Sequence, residues 1–404
     1  MSRSIGGKML RSPLVVVTMV ILTWFTAAFL LWPNLNLLVE TFFPSGQFSG
    51  RAVEKLLSSD RAMKSLGNSF LLAVVLAVTL FVMTFATTTN HLLFLGNAIR
   101  AAGPQAHPLR RFFAVLFVMT FATTTNHLLF LGNAIRDVDY QTIEAARNMG
   151  ASAWTILRRV VLPVLKPTLF AVTILSFLTG LGALSAPQVL GGEEFQTITP
   201  MILTFANTST SRDIAALLAI ILGVATIAML AVMTRLERGG TYYSVTKVSA
   251  PLQKQRIASP LANAVVHAAA YLLFLIYASP LVLILLYSFM DGAAISTGVL
   301  TLERFTLENY ARVLSQESAL RPFIVSIVYS GLAAVITVGG LLFVTRILQK
   351  YRTRITGTFE YLLHIPWILP AAMIALGLVM TYDRPNPLLG GLVLSGTTVI
   401  LLVS

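Results

Sequence analysis

The residues best placed to do something chemical lie between Asp137 and Pro167, in the stretch DVDYQTIEAARNMGASAWTILRRVVLPVLKP. It is a charged insert between two apolar runs. Glu144, Ala145 and Ala146 are followed by Gly150 and then by Leu162-Pro163, a spacing of E-A-A-x3-G-x9-V-x-L-P. The spacing predicts a short helix over Tyr140–Met149, with Ile143, Ala146 and Met149 or Gly150 along one side. Ala145 and Ala146 have no bulk, so another protein surface can come close. Glu144 is a lone carboxylate among Arg136, Arg147, Arg158 and Arg159. Gly150 can take a positive φ and end the helix. Ser152 can then cap a second helix carrying Trp154, Ile156 and Leu157. Pro163 falls where a membrane helix can begin, a position that tolerates proline. The chemistry expected here is docking rather than catalysis; the plainer alternative is an amphipathic connector.

Other candidates are fewer. Thr123, Thr124, Thr125, Asn126 and His127 form a polar cluster inside an apolar run. Of these, Thr124, Asn126 and His127 are pathway candidates, because polar residues in a span usually face a bundle interior or a water-filled cavity. Helix–helix hydrogen bonding, or a place near the interface, is the alternative. His364, Pro366, Trp367 and Pro370 read as an interfacial belt with a kink, or else as a broken helix. Gly191-Gly192-Glu193-Glu194 reads as a flexible, solvated acidic loop that could touch a partner. There is no G-x-x-x-x-G-K-[ST] phosphate loop, and Gly6-Gly7-Lys8 has neither the spacing nor the setting. No H-E-x-x-H, no Ser-His-Asp context and no carboxylate pair within a span is present, so no cofactor, catalytic group or metal site is expected. Cysteine is absent, which removes disulfides, thiolate zinc sites and thiol catalysis.

The elements that must position these residues are membrane helices. The chain has 404 residues, 56% hydrophobic and 11% charged, against about a quarter charged in a soluble domain. Its formal charge of +13 sits in short loops between apolar runs, as the positive-inside rule requires, so nucleic acid is not expected as a partner. The basic N-terminus leads into an uncleaved first helix. With about 20 apolar residues per crossing, nine spans are expected: 13–32, 68–90, 112–134, 161–185, 214–234, 261–289, 322–345, 359–381 and 388–403. The basic loops 235–256 and 346–354 should lie inside, and the loops 33–67, 186–213 and 290–321 outside. Residues 12–87 and 260–345 share an order of span, long outer loop and span, which suggests two homologous halves. The expected division is 1–234, a basic linker 235–260 and 261–404. A second repeat is of another kind: FVMTFATTTNHLLFLGNAIR stands at 81–100 and, unchanged, at 117–136. The earlier copy reads as a recent duplication or an assembly error, and the later one as authentic.

The spacing from Glu144 to Pro163 resembles the EAA loop of ABC-transporter permeases of the binding-protein-dependent importer family, with Val160 where the family prefers Ile. The layout is similar to fused permeases of the ferric-iron, polyamine or phosphonate type. The resemblance implies an all-α polytopic fold in two pseudo-repeated halves of the type I importer kind, in a bacterial plasma (inner) membrane. It implies a partner ATPase in the cytoplasm, acting as a homodimer, and an external solute-binding protein, with ferric iron as the favoured solute. By the same resemblance Glu144 would make the polar contact to the ATPase and Ala145 and Ala146 the close packing. Gly150 would form the bend, and Leu162 and Pro163 the join to the next helix. Two departures stand out: the first half shows five spans rather than six, and the second stops at Ser404 before a second EAA loop. A parity conflict goes with the first. Spans 13–32 and 68–90 return the chain inside near Arg100, in agreement with Arg110 and Arg111, yet the later spans need the EAA loop inside too. One more helix before 112 restores the parity, and the repeated segment at 81–100 is expected to have displaced it. A secondary transporter or channel, and an incomplete permease, are the alternatives.

Overall fold

The computed structural model describes residues 12–85, 108–136, 138–208, 210–238, 259–298, 301–351, 353–397 and 399–400. These residues are helical, with one isolated β-bridge, Met290 to Phe305. They form an all-α, multi-pass arrangement. Seven helices are long and apolar enough to cross a membrane. They are α1 (Pro13–Phe42), α3 (Asp60–Phe85), α4 (Pro108–Arg136), α6 (Ala153–Leu181), α9 (Arg212–Arg238), α10 (Pro260–Ser288) and α13 (Glu317–Lys350). Shorter helices between them are α2 (Arg51–Ser58), α5 (Tyr140–Asn148), α7 (Ser185–Leu190), α8 (Ile198–Ala206), α11 (Gly292–Thr297) and α12 (Glu308–Ser315). After α13 come α14 (Arg354–Ile368) and α15 (Ala371–Tyr382).

Two of the nine expected spans are corrected. The 359–381 run is broken at Leu369-Pro370 into α14 and α15, with Pro370 extended at φ −60° and ψ 136°. Proline offers no N–H and biases its predecessor away from the α region, so the helix stops there. The broken helix is therefore the right reading of the 364–370 cluster; the side chains of His364 and Trp367 lie outside the described residues. The 388–403 run is not an α-helix over 388–397: a short 3-10 turn at Pro387–Leu389 leads into positive-φ glycines at 390, 391 and 396. The end of span 68–90, the earlier copy of the repeat beyond residue 85 and most of the linker 235–260 lie outside the described residues.

The chain packs as two compact units. One comprises residues 20–255 and 358–395, the other 256–357 with short pieces at 1–19 and 396–403. In the first, α9 is the hub. Ala215, Ala216, Leu218 and Leu222 are buried on it, against Leu37 of α1, Ala52 and Leu56 of α2, Ile198 and Ile202 of α8 and Met373 and Leu376 of α15. A second cluster joins Leu72 and Leu76 of α3 to Phe112, Val115 and Leu116 of α4 and to Phe195 in the turn after α7. Helices come close where side chains are small. At Gly180 on α6 an added Cβ would stand 2.7 Å from the Cα of Ala73 on α3, and at Gly377 on α15 it would stand 3.0 Å from the carbonyl oxygen of Pro33 on α1. Polar bonds tie α1 to the distant end of the sequence. Asn36 Nδ2 donates to Thr381 Oγ1 at 3.2 Å, Trp24 Nε1 to the Leu388 carbonyl at 3.0 Å, and the Tyr382 hydroxyl to the Ala28 carbonyl.

The second unit holds α10 to α13. Its two long helices have no buried residue in their most apolar windows. Such surfaces are stable in hydrocarbon, where burying apolar surface against another helix has little hydrophobic drive. The span–loop–span repeat is visible in backbone detail. In both halves a long helix is followed by an eight-residue helix, α2 or α12, and then by a single extended residue before the next long helix. That residue is Ser59 (φ −94°, ψ 102°) in the first half and Gln316 (φ −92°, ψ 115°) in the second. Lys55 on α2 reaches Asp213 on α9 at 2.6 Å, while Arg312, in the matching position on α12, pairs with Glu308 of its own helix at 2.7 Å.

Candidate functional site

The insert between α4 and α6 folds into two capped helices meeting at a bend. Asp139 caps α5, accepting from Gln141 N at 3.0 Å. At the other end Gly150 takes φ +79°. Ala151 N donates to Ala146 O at 3.0 Å and Gly150 N to Arg147 O at 2.9 Å, the paired bonds of a Schellman stop. Ser152 then caps α6, accepting from Thr155 N at 3.3 Å. A small core of Val138, Ile143, Ala146 and Ile156 holds the corner, backed by Ala151, Val160 and Val161.

Burial divides the sequence candidates. Glu144 and Ala145 are exposed, and Glu144 makes no ion pair among the described residues. Ala146 turns inward, 8% exposed, so its small size serves the corner's own packing. Met149 leaves the Ile143 side and is 80% exposed, and Trp154 is 68% exposed. The outward surface is thus a carboxylate, an alanine and two large apolar side chains. Leu162 and Pro163 are half-buried and lie inside α6, so no helix begins there. The turns widen to π geometry over Leu157–Val161 just before them. Pro163 has no N–H and its ring crowds the carbonyl one turn back, which a wide turn relieves. The π stretch Thr26–Leu31 of α1 likewise precedes Trp32-Pro33.

The described members of the polar cluster on α4 have hydrogen-bond partners. Thr123 Oγ1 donates to Met119 O at 2.8 Å and Thr124 Oγ1 to Thr120 O at 2.6 Å. His127 is buried, with Nδ1 2.9 Å from Thr123 O and Nε2 2.6 Å from Ser176 Oγ on α6. The Ser176 hydroxyl also stands 2.7 Å from Val172 O, so its one proton is shared between that carbonyl and the ring. This matches the helix–helix alternative. Asn126 lies on α4, its side chain outside the described residues. A cavity of about 620 Å³ lies elsewhere, between α6, α8, α9 and α15, and neither Thr124 nor His127 lines it. Its hydroxyls are Thr179, Thr199 and Thr226, and Thr199 Oγ1 has no hydrogen-bond partner. No motif joins these three threonines in the sequence, and only folding brings them to one space.

The Gly191–Glu194 loop is not loose. Arg111 Nη1 donates to Gly191 O at 3.2 Å, Phe195 N to Gly191 O at 3.1 Å, and the Gln196 amide to Gly192 O. Asn68 Nδ2 donates to Gln196 O at 2.9 Å and Ile198 N to Ser69 Oγ at 2.7 Å. The third turn of α3 and the first turn of α4 therefore both meet the 191–198 turn, and the two helices run parallel. Arg111 is thus a bound donor to the loop whose sequence reading is outside.

Residues 104–239 match the family described as "Binding-protein-dependent transport system inner membrane component". The chain is 44% identical over 260 residues to the probable ABC transporter permease protein y4fN of Sinorhizobium fredii, a match covering 64% of this chain and 45% of that protein. It is 28% identical over 93 residues to the spermidine/putrescine transport system permease protein PotC of Escherichia coli K12, covering 23% of this chain and 35% of PotC. The chain spans less than half the length of these relatives. A crystal structure of a bacterial ABC transporter involved in the import of the acidic polysaccharide alginate superposes with a TM-score of 0.39 at 14% identity, covering 58% of this chain and 98% of that one. The resemblance to ABC importer permeases is borne out as a likeness over these residues, and seven described helices are long and apolar enough to cross a membrane.

Proposed function

We propose that this chain is the membrane-spanning subunit of an ABC importer, passing a solute from an external binding protein while a separate cytoplasmic ATPase, as a homodimer, hydrolyses ATP. The observation that carries it is the capped corner after α4, inside the matched region 104–239, which turns Glu144, Ala145, Met149 and Trp154 outward from a packed base. A rigid corner wedged between two long helices passes on a partner's movement as a rigid body. Glu144 makes the polar contact, Ala145 the close approach, Gly150 the bend, and the π turn before Leu162-Pro163 joins the corner to α6. Ala146 contributes from inside. The halves divide at the 235–260 linker. The layout raises ferric iron as a candidate solute, and likeness to PotC raises a polyamine.

The test is co-purification with its cognate ABC ATPase, followed by uptake in reconstituted vesicles. Glu144→Lys reverses the exposed charge, and Gly150→Val forces a β-branched residue into φ +79°. Both variants are expected to insert normally and to lose at least about tenfold in ATPase recovery, the effect of removing one charge-assisted contact. Full recovery and uptake in both would refute the assignment.

A further inference from the structure

A second pocket, of about 500 Å³, opens between the first turns of α3, the turn after α7 and the wall of α8. Its rim carries Arg61 and Lys64 from α3 and Glu193 and Glu194 from the turn. Arg61 and Lys64 stand three residues apart on a helix and so share a face. The turn opposite is held by Asn68 and Gln196 through the bonds given above.

These four charges are unspent. None of them forms an ion pair with another described residue, although Lys55 nearby holds Asp213 at 2.6 Å. Their positions do not favour helix stability either. Cations at the start of α3 oppose the helix dipole, and so do carboxylates just past the end of α7. Two cations and two carboxylates bordering one concavity without meeting leave room for a ligand that meets both. The volume falls within the range of small-molecule sites. Beyond it, α8 is a shared wall: Pro200 and Thr204 face this pocket, Thr199 faces the hydroxyl-lined cavity, and Leu203 borders both.

We propose that this pocket is the entry site for a small solute carrying both an ammonium and a carboxylate group. Its use in transport rests on the importer reading, but its binding chemistry does not. Charge-assisted bonds from Arg61 and Lys64 take the carboxylate, and Glu193 and Glu194 take the ammonium. A polyamine would set its ammonium groups against Arg61 and Lys64, and a ferric ion has no use for two cations on the rim. Leu203, between the two spaces, is the side chain such a solute passes next.

The test uses the purified full chain in lipid nanodiscs and three probes of one chain length: aminohexanoate, hexanediamine and adipate. Calorimetric titration is expected to show aminohexanoate binding at least about tenfold tighter than either of the others, one charge-assisted contact's worth. The pair Arg61→Gln with Lys64→Gln should erase its advantage over hexanediamine, and Glu193→Gln with Glu194→Gln its advantage over adipate. All four side chains are exposed, so these variants should fold, and an unchanged unliganded melting profile checks this. No binding by any probe, or hexanediamine or adipate binding as tightly as aminohexanoate, overturns the proposal. It is also overturned if the variants keep aminohexanoate but lose capture by the solute-binding protein, which would make the rim a protein-docking surface. No ATPase enters this assay, so it stands or falls apart from the Glu144 and Gly150 result.

Discussion

Gly180 and Gly132 look alike in sequence, each a glycine inside an apolar helix, and the structure separates them. A Cβ on Gly180 would meet the backbone of Ala73 at 2.7 Å, whereas one on Gly132 would meet nothing within 4 Å. Replacing a helix glycine by alanine favours the helix by about 1 kcal/mol in water. Overpacking against backbone, which cannot move aside as a side chain can, costs about 1–3 kcal/mol. At Gly180 the overlap wins. Gly180→Ala should lower the thermal unfolding midpoint in detergent, and Gly132→Ala should leave it unchanged or raise it; equal behaviour would show that α6 and α3 do not cross this closely. What was legible at this scale was local chemistry. Gly150 could be foreseen as the bend because its positive φ ends a nine-residue helix within reach of its own neighbours. Ala146 could be placed beside Ile143, but not assigned to the corner's own packing, because that depends on Ile156 after the bend. Met149 misled the helical wheel: it is the capping residue at φ −80° and ψ 6°, where the wheel no longer applies.

Between elements, the bond that matters most for α4 and α6 is His127 to Ser176 at 2.6 Å. Interhelical hydrogen bonds in membrane proteins average about 0.6 kcal/mol and reach about 1.7 kcal/mol. A double-mutant cycle of His127→Ala and Ser176→Ala, read by unfolding in detergent, should give a coupling in that range. Coupling near zero with uptake abolished would return His127 to the pathway. Apolar length was enough to foresee the seven long helices, even where Pro280 or Gly339-Gly340 lies inside one. It was not enough for 388–403, where hydrophobic residues surround glycines whose positive φ values fold the chain into turns. Nor did it show that Pro163 lies inside a helix, because a wide turn upstream leaves no mark in residue types.

Taken whole, the first unit sorts its helix ends to two sides. Arg111 and Asn68 meet the 191–198 turn, Lys55 meets Asp213 and Arg212 meets Asp383 at 3.1 Å, whereas Glu144 stands beyond the opposite end of α4. The parity conflict could not be resolved from the sequence, since an arginine bound to a loop and a cytoplasmic one read the same. The absence of cysteine allows a direct check. In intact cells an impermeant thiol reagent should label Arg110→Cys and Gln188→Cys but spare Gln141→Cys until the membrane is broken; protection of all three would overturn the arrangement. The bonds from α1 to the far end of the sequence set a timetable as well. Asn36, Ala28 and Trp24 find their partners 345, 354 and 364 residues later. At about 5–20 residues per second of synthesis, the first helix waits roughly 20–70 s in the bilayer before α15 arrives. For that interval the Asn36 amide and the Trp24 indole must be attended by lipid headgroups, water or an insertion factor, and a ribosome stalled in between leaves a nascent protein whose oldest helix is unclaimed.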